Sequence, residues 1–371
     1  MRVVNSSMNR KFGVSVNDVH SKLNKSMNKI SSGKAYENAA QNPLAYYEGM
    51  KIDNQYQDTL SKLALNKDVK NRLYQQELGA RSIQKTLADA KVKLSYIRSD
   101  TNNEEMKTVE TIRQDLLQKQ QSMVNDLNTQ YRSYYIFGGN DISSAPFKLS
   151  ADGKTLTFTH QFTDGTTKSI DMELQANGSY TISDPASVFT AMTEQGRVDV
   201  GYGTISDRST LLDTYTNGLN LLTGLTSDAL RTMKDAGGNP TQQALDLIQK
   251  GLDKSPIGLI GQAVIACDDY MAGGDKGDFS SKLGDIMDEM TVTEHTVSTV
   301  YSDLGNKYSL LETTETKLTN VKQALTEQYK DKLGADPYEA IMEMYSYQYS
   351  YSSSLQLGSK LMQSSLFDFI L

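Results

Sequence analysis

From residue 53 to residue 135 the chain contains no proline, and within that span Ile83, Leu87, Ala90, Leu94 and Ile97 follow one another in steps of four and three. Steps of that size place side chains on one stripe of an α-helix, because 3.6 residues complete a turn. The pattern stops at SDTNNEE and resumes with Val109, Ile112, Leu116, Met123, Leu127 and Tyr134. The spacing predicts two long helices joined near residues 99–103. Upstream, Ile52, Tyr56, Leu60 and Leu63 begin another stripe, which polar residues at 66–71 interrupt.

The other half of the chain mirrors this. Val297, Val300, Leu304, Leu311, Leu318, Val321 and Leu325 keep a heptad-like spacing, with Lys307 and Thr314 at two positions where apolar residues are expected. So narrow a seam suits packing on one or two partner helices rather than burial in a globular core. The two helical regions are expected to pack against each other as one antiparallel bundle.

Between them lies a different pattern. The stretch KLSADGKTLTFTHQFTDGTTKSIDMELQANGSYTIS alternates apolar and polar residues and is punctuated by Asp152-Gly153, Asp164-Gly165 and Asn177-Gly178. These dipeptides supply the positive φ of tight hairpin turns, and three of them imply an antiparallel meander of about four strands. Residues 210–233 and 241–252 turn partly helical again. The fold class is therefore α+β: a long antiparallel helical bundle or coiled coil formed by both chain ends, with an inserted, mainly β domain.

The extreme ends carry their own signals. Phe12, Val16, Val19, Leu23, Met27 and Ile30 form an amphipathic stripe that stops at SSGK. At the far end Ile341, Tyr345, Leu355, Met362, Leu366 and Phe369 fit a three-four register. YSYQYSYS alternates as a strand would, but the periodicity on both sides favours helix. The last residues, SSLFDFIL, are among the most apolar of the chain.

Composition and charge exclude several roles. A net charge of −7 argues against a general nucleic-acid binder, which needs concentrated Lys and Arg to neutralise phosphates. Arg2, Arg10, Lys11, Lys22, Lys25, Lys29 and Lys34 are opposed locally only by Asp18, a pattern typical of a solvated helix face. With mean hydropathy −0.50 and no apolar run long enough for a bilayer span or a signal-peptide core, no membrane is expected and export would leave the N-terminus uncleaved. Cys267 is the sole cysteine, flanked by Asp268 and Asp269, which disfavour a thiolate. His20, His160 and His295 share no paired-ligand spacing. Ser31-Ser32-Gly33-Lys34 lacks the upstream glycine of a phosphate loop, and DDYMAGGDKGD lacks the ligand spacing of an EF-hand. No enzyme, cofactor or metal site is expected.

Four segments together resemble the bacterial flagellin superfamily: MRVVNSSM, KISSGKAYENAAQNPLAYYEGMKI at 29–52, YYIFGGNDISSAPF at 134–147 and SSLQLGSKLMQSSLFDFIL at the end. Within it the chain is most similar to the hook-filament junction family, through Pro43 in QNP, the Gly-Gly exit into Pro-Phe, and the Leu-Phe-Asp-Phe ending. Gln41-Asn42 departs from the usual acidic pair. The resemblance implies a non-enzymatic structural protein of the flagellum, exported by type III secretion and polymerising through its terminal helices. It implies as partners further copies of the chain in a ring or tube, a hook-side junction protein, flagellin filament subunits and an export chaperone.

On this reading the chain divides into a polymerisation segment 1–49, disordered in the monomer; bundle halves 50–137 and 256–335; an outer insert 138–255; and a second polymerisation segment 336–371. The expected partner-binding residues are Phe12, Val16, Val19, Leu23, Met27 and Ile30 at one end. At the other they are Leu355, Leu357, Leu361, Met362, Leu366, Phe367, Phe369, Ile370 and Leu371. A filament-forming flagellin is the close alternative; a glycan-binding adhesive module carried by the insert is the distant one.

Overall fold

The computed structural model describes residues 2–36, 38–99, 106–141, 143–194, 197–199, 211–213 and 217–367, with backbone alone for 2–6, 197–199, 211–213 and 361–367. In chain order the elements begin with helices α1 (Arg2–Ser32), α2 (Pro43–Arg98) and α3 (Met106–Leu127). Strands β1 (Gln130–Tyr131), β2 (Tyr134–Tyr135), β3 (Phe147–Leu149), β4 (Thr155–Gln161), β5 (Thr167–Leu174) and β6 (Tyr180–Ile182) follow. Then come α4 (Pro185–Thr193), β7 (Arg197–Asp199), β8 (Leu211–Asp213), α5 (Gly218–Thr223), α6 (Ser227–Arg231), α7 (Gln242–Asp253), α8 (Pro256–Met271), α9 (Lys276–Leu333) and α10 (Pro337–Phe367). The chain forms two compact units, a central one of Ala64–Glu315 and a terminal one of Met1–Leu63 with Thr316–Leu371. The fold is α+β, with long helices from both ends of the chain packed together and a small antiparallel β region between them in sequence.

Burial repeats every seven residues along both long helices. On α2 one buried series is Ile52, Thr59, Asn66, Leu73, Ala80, Leu87 and Leu94; on α9 it is Leu283, Met290, Val297, Leu304, Leu311, Leu318 and Leu325. A seven-residue repeat of mostly apolar positions keeps one seam facing a partner helix. In the central unit the two helices run antiparallel. Arg98 lies beside Gly284, Lys91 pairs with Glu294 at 3.0 Å, the Arg81 guanidinium sits 4.5 Å from the Tyr301 ring centroid, and Asn66 Nδ2 donates to the Leu311 carbonyl at 2.9 Å. The polar residues at 66–71 therefore do not end the stripe. Thr314 stays buried by donating to the Leu310 carbonyl at 2.9 Å, and Lys307 reaches Asp303 at 2.7 Å.

The expected meander is a four-stranded antiparallel sheet in the order β3-β4-β5-β6. Its turns hold Gly153, Gly165 and Gly178 at φ of 74°, 86° and 84°, the left-handed region that glycine enters without steric cost. Phe147 faces Phe158, and Phe158 faces Ile170, on the buried side. Helices α3 and α8 close over the core, where Gln120 Nε2 donates to the Ile257 carbonyl at 3.0 Å. Asn128 clamps the chain's entry into β3, accepting from Phe147 N at 3.0 Å and donating to its carbonyl at 2.7 Å. The region between residues 138 and 255 also holds helices α4 to α7. Side-chain caps from Asp184, Asn217, Thr226 and Thr241 begin them, each satisfying an otherwise unpaired backbone N–H. One expectation is corrected: Tyr134 is not on the α3 stripe, because the helix stops at Leu127 and Arg132 and Ser133, at φ of 51° and 77°, turn the chain into the β1–β2 hairpin.

The terminal unit is built from α1, the first part of α2, the last part of α9, and α10. Its two connections meet edge to edge: Ala35 N donates to the Leu333 carbonyl at 2.7 Å and Ala335 N to the Gly33 carbonyl at 3.0 Å, around a bridge between Lys34 and Gly334. Gly49 packs so closely on Leu333 that an added Cβ would collide with it. Lys332 pairs with Glu48 at 2.8 Å.

Candidate assembly surface

Helices α1 and α10 pack antiparallel along their length. Phe12 lies over Gly358, where a Cβ would sit 2.5 Å from the ring. The His20 and Tyr351 rings are 5.2 Å apart, and Lys29 Nζ is 3.0 Å from Glu343 Oε2. The face that α1 turns inward is Phe12, Val16, Val19, Leu23 and Ser26; the apolar members are half-buried and only Ser26 is fully buried. Met27 and Ile30, expected on the same stripe, are exposed.

On α10 the inward face is Ala340, Met344, Tyr347, Tyr351, Ser354 and Gly358, mostly small or hydroxyl-bearing side chains. Two residues out of phase, Tyr338, Met342, Tyr345 and Tyr349 form a second stripe with the same four-three-four spacing. At 100° per residue the two stripes lie on opposite faces. The outer four are 83%, 70%, 60% and 76% exposed. Leu355 and Leu357 are exposed as well. The side chains of Leu361, Met362, Leu366 and Phe367 lie outside the described residues, as do Phe369, Ile370 and Leu371 altogether. The terminal pair thus joins through a slender, partly polar seam and turns large apolar groups outward. Tyr345 and Tyr349 stand out in the sequence, but Tyr338 and Met342, at the same four-three-four spacing, do not.

A groove of about 400 Å³ opens in the same unit where α1 and α9 end. Its floor is Ile52 and Leu325, its walls are Tyr56 and Tyr329, and Lys34, Lys330 and Asp53 stand on its rim.

The polar residues weighed as chemistry are placed in structural roles. In the acidic stretch DDYMAGGDKGD, Asp268 pairs with Arg113, Asp269 with Lys282 at 3.2 Å, and Asp275 accepts from Gly277 N and Asp278 N at the start of α9. Cys267 is buried, and that burial, with Asp268 beside it, pushes its thiol up to about 12. His160 is fully buried between Phe158 and Phe162, its ring stacked on one and edge-on to the other. Burial holds its pKa below the ordinary imidazole value against the pull of Asp141 and Glu194, whose Oε2 is 3.7 Å away. Burial would raise Asp141, but bonds from Ser144, Ser143 and the Gln161 amide outweigh it and hold the carboxyl low. Among the described residues no three His, Cys, Asp or Glu side chains gather as a metal site, and no described helix is long and apolar enough to cross a membrane.

No protein-family model and no curated protein matches the chain. Solved structures do. A Vibrio parahaemolyticus protein provisionally described as flagellar hook-associated superposes with a TM-score of 0.53 at 12% identity, covering 79% of this chain and 100% of that one. Bacillus cereus FlgL aligns more loosely, with a TM-score of 0.41 at 17% identity over 76% of this chain and 99% of that one. The chain therefore shares the fold of the Vibrio structure over most of its own length.

Proposed function

We propose that this chain is a structural subunit of the bacterial flagellum that joins hook to filament by polymerising through its terminal helices. The observation that carries the reading is the arrangement of the terminal unit. The half-buried apolar face of α1 meets mostly small and hydroxyl side chains of α10 while Tyr338, Met342, Tyr345, Tyr349, Leu355 and Leu357 face outward. An exposed stripe of that kind is a liability in a monomer and a contact surface in a polymer. The fold shared with the Vibrio protein and the sequence resemblance at both chain ends support the same reading.

In this account residues 1–49 and 336–371 are the polymerising segments and order fully only against neighbours, which weakens premature association because ordering entropy is lost at assembly. The partner-binding residues are those of the two terminal stripes, and the neighbours are further copies, a hook-side protein and filament subunits. The chain acts outside the cell, after export with an export chaperone covering its apolar C-terminal stretch, and has no catalytic role. Electron microscopy of flagella carrying a tagged copy tests the reading. Label confined to one band near the hook supports it; label along the whole filament makes the chain a filament flagellin; absence of label from flagella overturns both.

A further inference from the structure

We infer that the groove between the ends of α1 and α9 receives the outer stripe of α10 from a second copy of this chain. The inference rests on the assembly reading above and names one contact within it. The two surfaces match in form. The groove is concave, about 400 Å³, with an apolar floor of Ile52 and Leu325 and aromatic walls. The stripe is convex, with Tyr338, Met342, Tyr345 and Tyr349 projecting from one helical face. No described residue of α10 lines the groove of its own chain, and the stripe stays exposed there, so the occupant comes from another molecule.

The charges match as well. Lys34 and Lys330 on the rim outnumber Asp53, leaving the groove cationic. At the start of the stripe stand two exposed carboxylates: Asp336, which caps α10 through Tyr338 N at 2.8 Å, and Glu339. Groove and stripe are different surfaces of one chain, so the contact is head-to-tail and propagates from copy to copy. A rim charge also selects the register in which the apolar stripe enters, because a like charge in the wrong register is repelled.

The test uses the full-length chain and two single charge reversals, Lys330→Glu and Glu339→Lys, followed by sedimentation velocity over a range of concentrations. Each variant alone is expected to raise the concentration needed for assembly about tenfold, the effect of one lost charge pair. Mixed in equal amounts, the two variants are expected to co-assemble at the unaltered protein's threshold. In the mixture every reversed groove can meet a reversed stripe and every unaltered groove an unaltered stripe, which a misfolded variant could not achieve. Assembly of either variant at the unaltered threshold overturns the inference, as does a mixture no better than its components. If the unaltered chain itself stays monomeric at every concentration and the tagged copy is absent from flagella, the assembly reading falls instead.

Discussion

In the central unit the seven-residue repeat of α2 runs through Leu73, which packs with Val69, Leu304 and Leu311, and ends in Ala80, Leu87 and Leu94, which lie in a core shared with α3, the sheet and α8. In the terminal unit the same helix offers only Ile52 and Thr59 to that repeat, and the other buried apolar side chains described there are Leu318, Leu325, Leu333 and Ala340. The central unit buries most of its large apolar groups, though Val92 and Val292 are exposed there, whereas the terminal unit exposes most of those described. The same helix can therefore serve two ends: where several layers of structure meet, it helps specify a stable body, and where only helices pair along narrow seams, it leaves surface for a partner. Marginal internal burial is what coupled ordering and assembly requires, because a unit already saturated with its own contacts gains little from a neighbour.

The contrast can be broken from the stable side first. Phe158→Ala removes a fully buried ring from the sheet and should cost about 3–5 kcal/mol, lowering the melting temperature of the central unit while leaving hydrogen exchange of the 337–367 segment in the full chain unchanged. Asn66→Leu should act in the opposite sense. Asn66 has its Oδ1 buried without a partner, so an apolar replacement is expected to stabilise the α2–α9 seam by about 1 kcal/mol, at the expense of register fidelity; chemical denaturation reads the first and disulfide trapping across the seam the second.

A pH scan sharpens the comparison further. His160 has a folded pKa below its ordinary 6.5 because burial disfavours the charged ring. The folded state therefore binds fewer protons than the unfolded one, and stability held above pH 6.5 is lost as pH falls from there toward the folded value. Lys168 stands across the strand pair from His160, and its ammonium is turned to Asp184 at 3.0 Å. Asp141 adds a separate loss below its ordinary 3.8, since its folded pKa is depressed. The melting temperature of the central unit should fall between pH 8 and pH 5, and His160→Phe should flatten that slope. The smallest effect on monomer stability is expected from Tyr345→Ala, within about 0.5 kcal/mol, yet it should reduce assembly measured by sedimentation.

Much of this architecture was legible in residue order. The three Asp-Gly and Asn-Gly dipeptides marked the sheet because each hairpin places its glycine at positive φ, although the connections, 150–154, 162–166 and 175–179, are longer than two-residue turns; the stripes of α3 and α9 showed because their buried positions are nearly all apolar. The α2 repeat was harder to follow, since Thr59, Asn66 and Gln76 are polar side chains at buried positions, each donating to a backbone carbonyl. Helix α4 escaped notice because nine residues give too few turns for a period to emerge. The outward face of α10 was obscured for another reason. Tyrosines occur on both of its faces, at 347 and 351 inward and at 338, 345 and 349 outward, so periodicity alone could not decide which side meets α1. The groove had no sequence signal, because its lining joins residues 32–56 near one end of the chain to residues 325–334 near the other.

The most direct test of the two-unit account is amide hydrogen exchange on the full-length chain, measured by mass spectrometry in dilute monomer and again after assembly. The account predicts that peptides from 2–32 and 337–367 exchange rapidly in the monomer and become protected on assembly, while peptides from α3, the sheet and α8 are protected in both states. Equal and strong protection of the terminal helices in the dilute monomer, unchanged by assembly, would contradict it.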